Sequence, residues 1–242
     1  MTLSETQQSS AKMTTPHTRK ASIELTTDNT QLLAKRMRQT AYVFAIISLI
    51  IQFRWIIIPR DYLYLVDVAS EVNFWTWLNV TYMLFAAQVL ALSAWLRSRK
   101  KLPAVGLGFA SLALVLLSMD DFMSFHERLG PLGVELGGGD GFFKFAWVIP
   151  GSIAALIILM VFLNAARSTE PSVRRDTLTG VALLFGGAIG VEMVSGAVLA
   201  EIGYRRLYIL LYHFEEILEA VGIVFIARAG LRDILSVSSP PT

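Results

Sequence analysis

Three stretches of this chain place acid–base or metal-ligating side chains among apolar residues. The first is Ser118-Met119-Asp120-Asp121, followed by His126-Glu127. The second is Glu192, alone in a run of small and aliphatic residues, and the third is His213-Phe214-Glu215-Glu216 with Glu219 one turn on. A charge inside a membrane-spanning helix costs about 2.5–3.5 kcal/mol on insertion scales, so each is a functional candidate. Seven carboxylates, Asp120, Asp121, Glu127, Glu192, Glu215, Glu216 and Glu219, face only Arg54, Arg128 and two histidines as nearby countercharge. They cannot all ionise in a low-dielectric pocket, so they require either bound protons or bound cations.

A mixed carboxylate and imidazole set is what Fe, Mn or Zn accepts. The expected metal ligands are Asp120, His126, Glu127, Glu192, His213, Glu216 and Glu219. Arg54, Glu71, Asp121 and Glu215 are expected beside them, orienting ligands or substrate. Di-iron carboxylate bundles use Glu-x-x-His twice, whereas this chain has the reversed His213-x-x-Glu216 and the adjacent pair His126-Glu127. A hydrolytic zinc site needs three protein ligands and a water, and would leave most of these acids without a role. Ser124 lacks the Gly-x-Ser-x-Gly setting of a nucleophile. Helical spacing puts Asp120, Ser124 and Glu127 on one face and makes Glu219 the common neighbour of Glu215 and Glu216. His126 points about 120° from Asp120 unless the helix ends near Phe125, as the downstream Gly130-Pro131 allows.

The elements that must position these groups are helices in lipid. Of 242 residues, 54% are hydrophobic and 17% charged, with a mean hydropathy of +0.55. That is well below the roughly 25% charge of soluble domains. Six apolar runs, at about 40–58, 76–96, 103–123, 143–164, 177–200 and 207–228, each approach the ~20 residues that cross a bilayer. The expected architecture is therefore all-α, a six-helix transmembrane bundle over 40–230. A disordered polar tail (1–39), with a short helix near Gln31 to Gln39, precedes it and a short tail (231–242) follows. The first apolar run begins too late for a cleavable signal peptide. Basic residues gather in the tails and in the loops with Arg97 to Lys101 and Arg167 to Arg175, which predicts both termini inside, in a cell inner (plasma) membrane. On that topology Asp120 lies roughly 25 Å and Glu192 roughly 22 Å along their spans, and Glu219 roughly 18 Å from the outer end of its own, so the acids converge in the outer half. Aromatic residues from Trp55 to Tyr208, including Trp75 and Trp147, are expected as an outer interfacial belt. Pro150 is expected to kink the fourth span, and Gly186 with Gly190 to allow close helix approach. A net charge of +2 argues against a nucleic-acid partner. The absence of cysteine excludes disulfides and thiolate ligands, and nothing points to a nucleotide or flavin.

The pattern Glu71-x-Asn73-x-x-x-Trp77, Ser118-Met119-Asp120-Asp121 then His126-Glu127, and Glu215-Glu216-x-x-Glu219-x-x-Gly222 resembles a family of bacterial polytopic membrane proteins without an assigned activity. Its members read Ser-Leu-Asp-Glu, four residues, His-Glu, and later Glu-Glu-x-x-Glu-x-x-Gly. This chain departs in carrying Asp121 where the family has Glu. The expected function is a membrane metalloenzyme using Fe, Mn or Zn, in contact with membrane lipids and acting on a lipid, isoprenoid or quinone-like substrate. Oxidation or hydroxylation is favoured over hydrolysis. The alternatives are a proton- or cation-coupled transporter or channel, and an accessory subunit of a membrane complex.

Overall fold

The computed structural model describes residues 26–54 and 59–239, and every described element is helical. Helix α1 is Thr27–Gln52, α2 Phe74–Arg99, α3 Val105–Met123, α4 Gly130–Glu135 and α5 Val148–Arg167. Helix α6, Pro171–Phe185, passes through a π-helical stretch, Gly186–Val191, into α7, Glu192–Ile202, and α8 is Arg206–Ser238. Short connections join α2 to α3, α5 to α6 and α7 to α8, and the acid-bearing parts of α3, α7 and α8 line one cavity. α2, α3, α5 and the continuous segment Pro171–Ile202 are each long and apolar enough to cross a membrane.

Helix α1 starts well before residue 40, within the stretch read as a tail. Thr26 caps it by accepting from the Asn29 N–H at 3.2 Å, and Asp28 sits in its first turn. Side-chain capping and an acid at the positive end of the dipole stabilise such a start. The rest of the tail, residues 1–25, and Trp55 lie outside the described residues.

Helices α3 and α5 expose Val105, Phe109, Leu112 and Leu116, and Ile153, Leu156, Ile157 and Met160. These recur at helical spacing and form apolar stripes suited to lipid. Helix α8 is different. It packs against α1, α2 and α6, and Ala220, Ile223, Val224, Ile226 and Ala229 are fully enclosed. A helix carrying three glutamates is tolerable at this position because protein, not lipid, surrounds it.

The α6–α8 crossing depends on Gly180 and Gly222. A Cβ on either would stand 2.6 Å from the other's carbonyl oxygen. Gly186 and Gly190, expected to provide the close approach, have open space beside them. Gly187 is the tight position instead: its Cβ would meet the Glu215 carbonyl oxygen and Glu219 Cγ, each at 2.9 Å. Pro150 falls in the first turn of α5, which begins at Val148. The missing N–H interrupts no helical bond there, so the proline starts the helix rather than kinking it.

The end away from the acids is closed by ion pairs. Asp233 on α8 accepts from Arg97 Nε at 2.7 Å and Nη2 at 2.9 Å, and from the Ser93 hydroxyl. Arg97 also donates to the carbonyls of Pro103 and Ser168 at 3.1 and 3.0 Å, tying α2 to two loops. Asp176 on α6 accepts from Arg228 at 2.7 and 2.9 Å and from Arg232 at 2.6 Å.

Candidate functional site

A cavity of about 840 Å³ opens at the opposite end, among α3, α5, the π-helical stretch, α7 and α8. Eight carboxylates line it, Glu71, Asp120, Asp121, Glu127, Glu192, Glu215, Glu216 and Glu219, and among the described residues Lys144 and His126 are its only basic side chains. Met83, Leu116, Leu117, Ile158, Leu184 and Ile189 contribute apolar wall.

The end of α3 builds the first part. Ser124 takes the left-handed conformation (φ 51°, ψ 45°) and stops the helix at Met123. The chain then doubles back over Asp120, whose Oδ1 accepts the His126 backbone N–H at 2.8 Å and whose Oδ2 lies 3.0 Å from His126 Nδ1. Asp120 and Glu127 reach the same cavity through this reversal, not through a shared helix face, because Glu127 belongs to a 3-10 turn beyond the helix. With Nδ1 held by a carboxylate, Nε2 is the ring nitrogen available to a ligand, the arrangement that orients metal-bound histidines. Burial disfavours the imidazolium, but the hydrogen bond and charge of Asp120, aided by Glu71 and Glu127, outweigh it and raise the His126 pKa above its ordinary value.

Asn73 builds the second part. It caps α2, its Oδ1 accepting from the N–H groups of Trp75 and Thr76 at 2.8 and 3.0 Å. Its Nδ2 donates to the carbonyls of Tyr64, Asp67 and Ser70 at 3.0, 2.5 and 2.6 Å. The gathered loop presents Glu71, next to Val72 in the left-handed region at φ 57°. A β-branched residue rarely adopts that conformation, so the loop is strained where it delivers the carboxylate. The Ser124 hydroxyl bonds Glu71, while Glu71 Oε2 is buried with no partner. Burial, and the charges of Glu127 and Asp120, raise the Glu71 pKa against the opposing effects of His126 and Ser124. A carboxylate oxygen of Glu71, one of Glu127 and a ring nitrogen of His126 lie within 4.8 Å of one another. That separation is short enough for one divalent ion to draw all three to ligand distances of about 2.0–2.2 Å.

Deeper acids come from α3, α7 and α8. Trp75, 3% exposed, donates Nε1 to Glu216 Oε2 at 2.6 Å. Trp147 donates Nε1 to Glu192 Oε1 at 3.3 Å and lays its ring against His126 with centroids 4.6 Å apart. Glu192 and Glu215 are within hydrogen-bonding range, and Asp121 Oδ2 and Glu215 Oε2 are buried without partners. Tyr204, just before α8, stacks edge to face on Tyr208 and Tyr208 on Tyr212 within α8, with ring centroids 5.3 Å apart in each pair.

Six of the seven expected ligands thus line one cavity. His213 does not: it sits against α1, with Nδ1 2.7 Å from the Ile209 carbonyl and Nε2 2.9 Å from Ser48 Oγ. Both nitrogens are engaged, so it has none to offer a metal. Of the four flanking residues, Glu71, Asp121 and Glu215 line the cavity. Arg54 is exposed with φ 59° outside it. Trp75 and Trp147, expected in an interfacial belt, instead orient carboxylates. Sequence reasoning misses the role of Asn73, although an Asn immediately before an apolar run is a recognised N-cap signal.

No curated protein and no solved structure matches the chain. The family model described as Domain of unknown function (DUF8692) matches residues 40–232, and the chain belongs to that family.

Proposed function

We propose that this is a membrane metalloenzyme whose divalent metal, Fe, Mn or Zn, is held at the rim of the cavity by Glu71, His126 and Glu127. The observation that carries the reading is this trio within 4.8 Å, with Asp120 fixing the imidazole from behind. One nitrogen and two oxygens leave coordination positions open for water or substrate, as catalytic metals require. Bound there, the metal supplies a Lewis-acid or redox centre. The apolar wall beyond it suits the chain of a lipid, isoprenoid or quinone-like substrate. Oxidation or hydroxylation, with dioxygen as the external oxidant, is favoured over hydrolysis, because a three-ligand hydrolytic site would leave the other carboxylates of the cavity without a role.

The topology proposed with it has six spans, α1 and α8 joining the four strongly apolar segments, and both termini inside. Arg97, Arg99, Lys100, Lys101, Arg167, Arg174 and Arg175 all belong to the end away from the cavity, which the positive-inside rule assigns to the cytoplasm. The cavity then opens in the outer half of the bilayer. A carrier moving protons or cations across the bilayer would need further stations, and Asp176 and Asp233 are bound to arginines.

Metal analysis of protein purified in mild detergent tests the proposal. About one equivalent or more of Fe, Mn or Zn, with about one equivalent fewer in His126→Ala, supports it. Less than about a tenth of an equivalent in a folded preparation would sink it. Reporter fusions at the two termini test the topology, and either terminus found outside contradicts it.

A further inference from the structure

We infer that the bundle carries a second binding site, at the end away from the acidic cavity: a basic pocket between α1 and α8 that holds the phosphate of an anionic membrane lipid. This site shares no residue with the metal rim and does not depend on it.

The polar first turns of α1 give way to its apolar run at about Ala41. Lys35 and Arg38 therefore stand at headgroup depth, on the cytoplasmic side in the topology proposed above. With Gln31, Leu32 and Arg228 of α8 they wall a pocket of about 340 Å³. Asp28 is the only acid on that wall among the described residues, and no ion pair joins it to Lys35, Arg38 or Arg228.

Positive charge is left over here. Phe225 of α8 draws two guanidinium groups to one ring, with Arg228 Cζ 4.4 Å and Arg38 Cζ 5.8 Å from its centroid. Each contact is favoured by the ring's quadrupole, but the two cations repel each other. Asp176 offsets only part of that charge, because it accepts from Nε and Nη2 of Arg228 and also from Nη1 of Arg232. One carboxylate thus serves two arginines, and among the described residues none pairs with Lys35 or Arg38.

Arg38 separates a built site from side chains reaching for water. A snorkelling arginine ends with its guanidinium hydrated, whereas Arg38 Nη1 is buried and has no hydrogen-bond partner. A buried donor of that kind calls for an acceptor that the chain does not supply. Guanidinium and ammonium donors converging on one small pocket suit phosphate oxygens, and basic pockets between membrane helices on the cytoplasmic side take anionic headgroups. Arg38, Tyr42 and Ile46 follow at four-residue intervals along α1, and Tyr42, Val43 and Ile46 are exposed. A headgroup seated in the pocket therefore lays an acyl chain along apolar side chains. A free phosphate would use the pocket and none of that stripe.

The test is native mass spectrometry of the full-length protein in detergent, titrated with phosphatidylglycerol, with phosphatidylcholine, and with phosphatidylglycerol in the presence of inorganic phosphate. One phosphatidylglycerol is expected to bind about tenfold or more tighter than phosphatidylcholine, and Lys35→Gln and Arg38→Gln should each weaken it about fivefold. Lys35 is exposed, so its variant keeps the fold even if that of Arg38 does not. Arg36→Gln, which removes a neighbouring charge outside the pocket, should change the affinity by less than about twofold. Equal affinity for the two lipids overturns the site, as does an equal loss in Arg36→Gln and Lys35→Gln, the mark of diffuse attraction. Displacement of the lipid by an equal concentration of inorganic phosphate overturns the lipid as its ligand.

Discussion

Both ends of this bundle bury carboxylates, yet they treat them in opposite ways. At one end Asp176 and Asp233, 1% and 0% exposed, are each enclosed by guanidinium groups. At the other, eight acids share a cavity with one lysine and one histidine. Arginine is not in short supply there, since Arg54, Arg128 and Arg205 all belong to loops near that end, and none of the three lines the cavity. Acids in ion pairs lock helices together, whereas acids kept apart from bases stay able to bind something else. The strain at Val72 and Ser124, the neutral tryptophan donors and the π-helical register shift all fall on the side of the unpaired acids. That distribution is expected where binding has been kept at the expense of stability.

The contrast can be broken by substitution. Arg97→Ala should have the largest effect on stability, because Asp233 would be left buried and uncompensated. A loss of about 3–5 kcal/mol is expected in thermal melts in detergent, and a loss below about 1 kcal/mol would contradict the locking role. Gly222→Ala should cost about 1–3 kcal/mol by overpacking against the Gly180 carbonyl. At the cavity the sign changes. Asp120→Asn should lower metal affinity about 10–100-fold by releasing His126 from its orientation, without lowering the melting temperature of the metal-free protein. A fall in that temperature as large as for Arg97→Ala would erase the distinction between the ends.

Two weaker effects sharpen the comparison. Metal needs a neutral imidazole and an ionised Glu71, and both groups have pKa values raised above the ordinary 6.5 and 4.5. Protons therefore compete with metal at higher pH than they would at ordinary groups of these types. Affinity should fall on acidification from about pH 8 to about pH 5.5, by up to about tenfold per pH unit for each proton displaced. Isothermal titration at several pH values checks this, and a flat profile would contradict it. Arg54→Gln should leave metal affinity within about twofold of the wild type, since Arg54 lies outside the cavity.

The apolar runs and the acids within them are legible in the sequence because both follow from one property of the solvent. Lipid tolerates neither polar backbone nor unpaired charge. What escapes is whatever depends on chain reversal or on long-range pairing. Helical spacing relates Asp120 to Glu127 only while the helix lasts, and the left-handed Ser124 ends it first. His213 is three residues from Glu216 but about 120° around α8 from Glu219, enough to turn it toward Ser48. The partnership of Arg97 with Asp233, or of Gly180 with Gly222, joins positions far apart in the chain and leaves no local pattern. The cap formed by Asn73 is legible in principle, since its residue type and position before an apolar run carry the signal.

The most direct test of the central claim is anomalous X-ray diffraction from metal-loaded protein, with data on both sides of the metal's absorption edge. A peak is expected among Glu71, His126 and Glu127, about 2.0–2.2 Å from an imidazole nitrogen. A peak coordinated by His213, or no peak in the cavity of a crystal soaked with Fe, Mn or Zn, would contradict it.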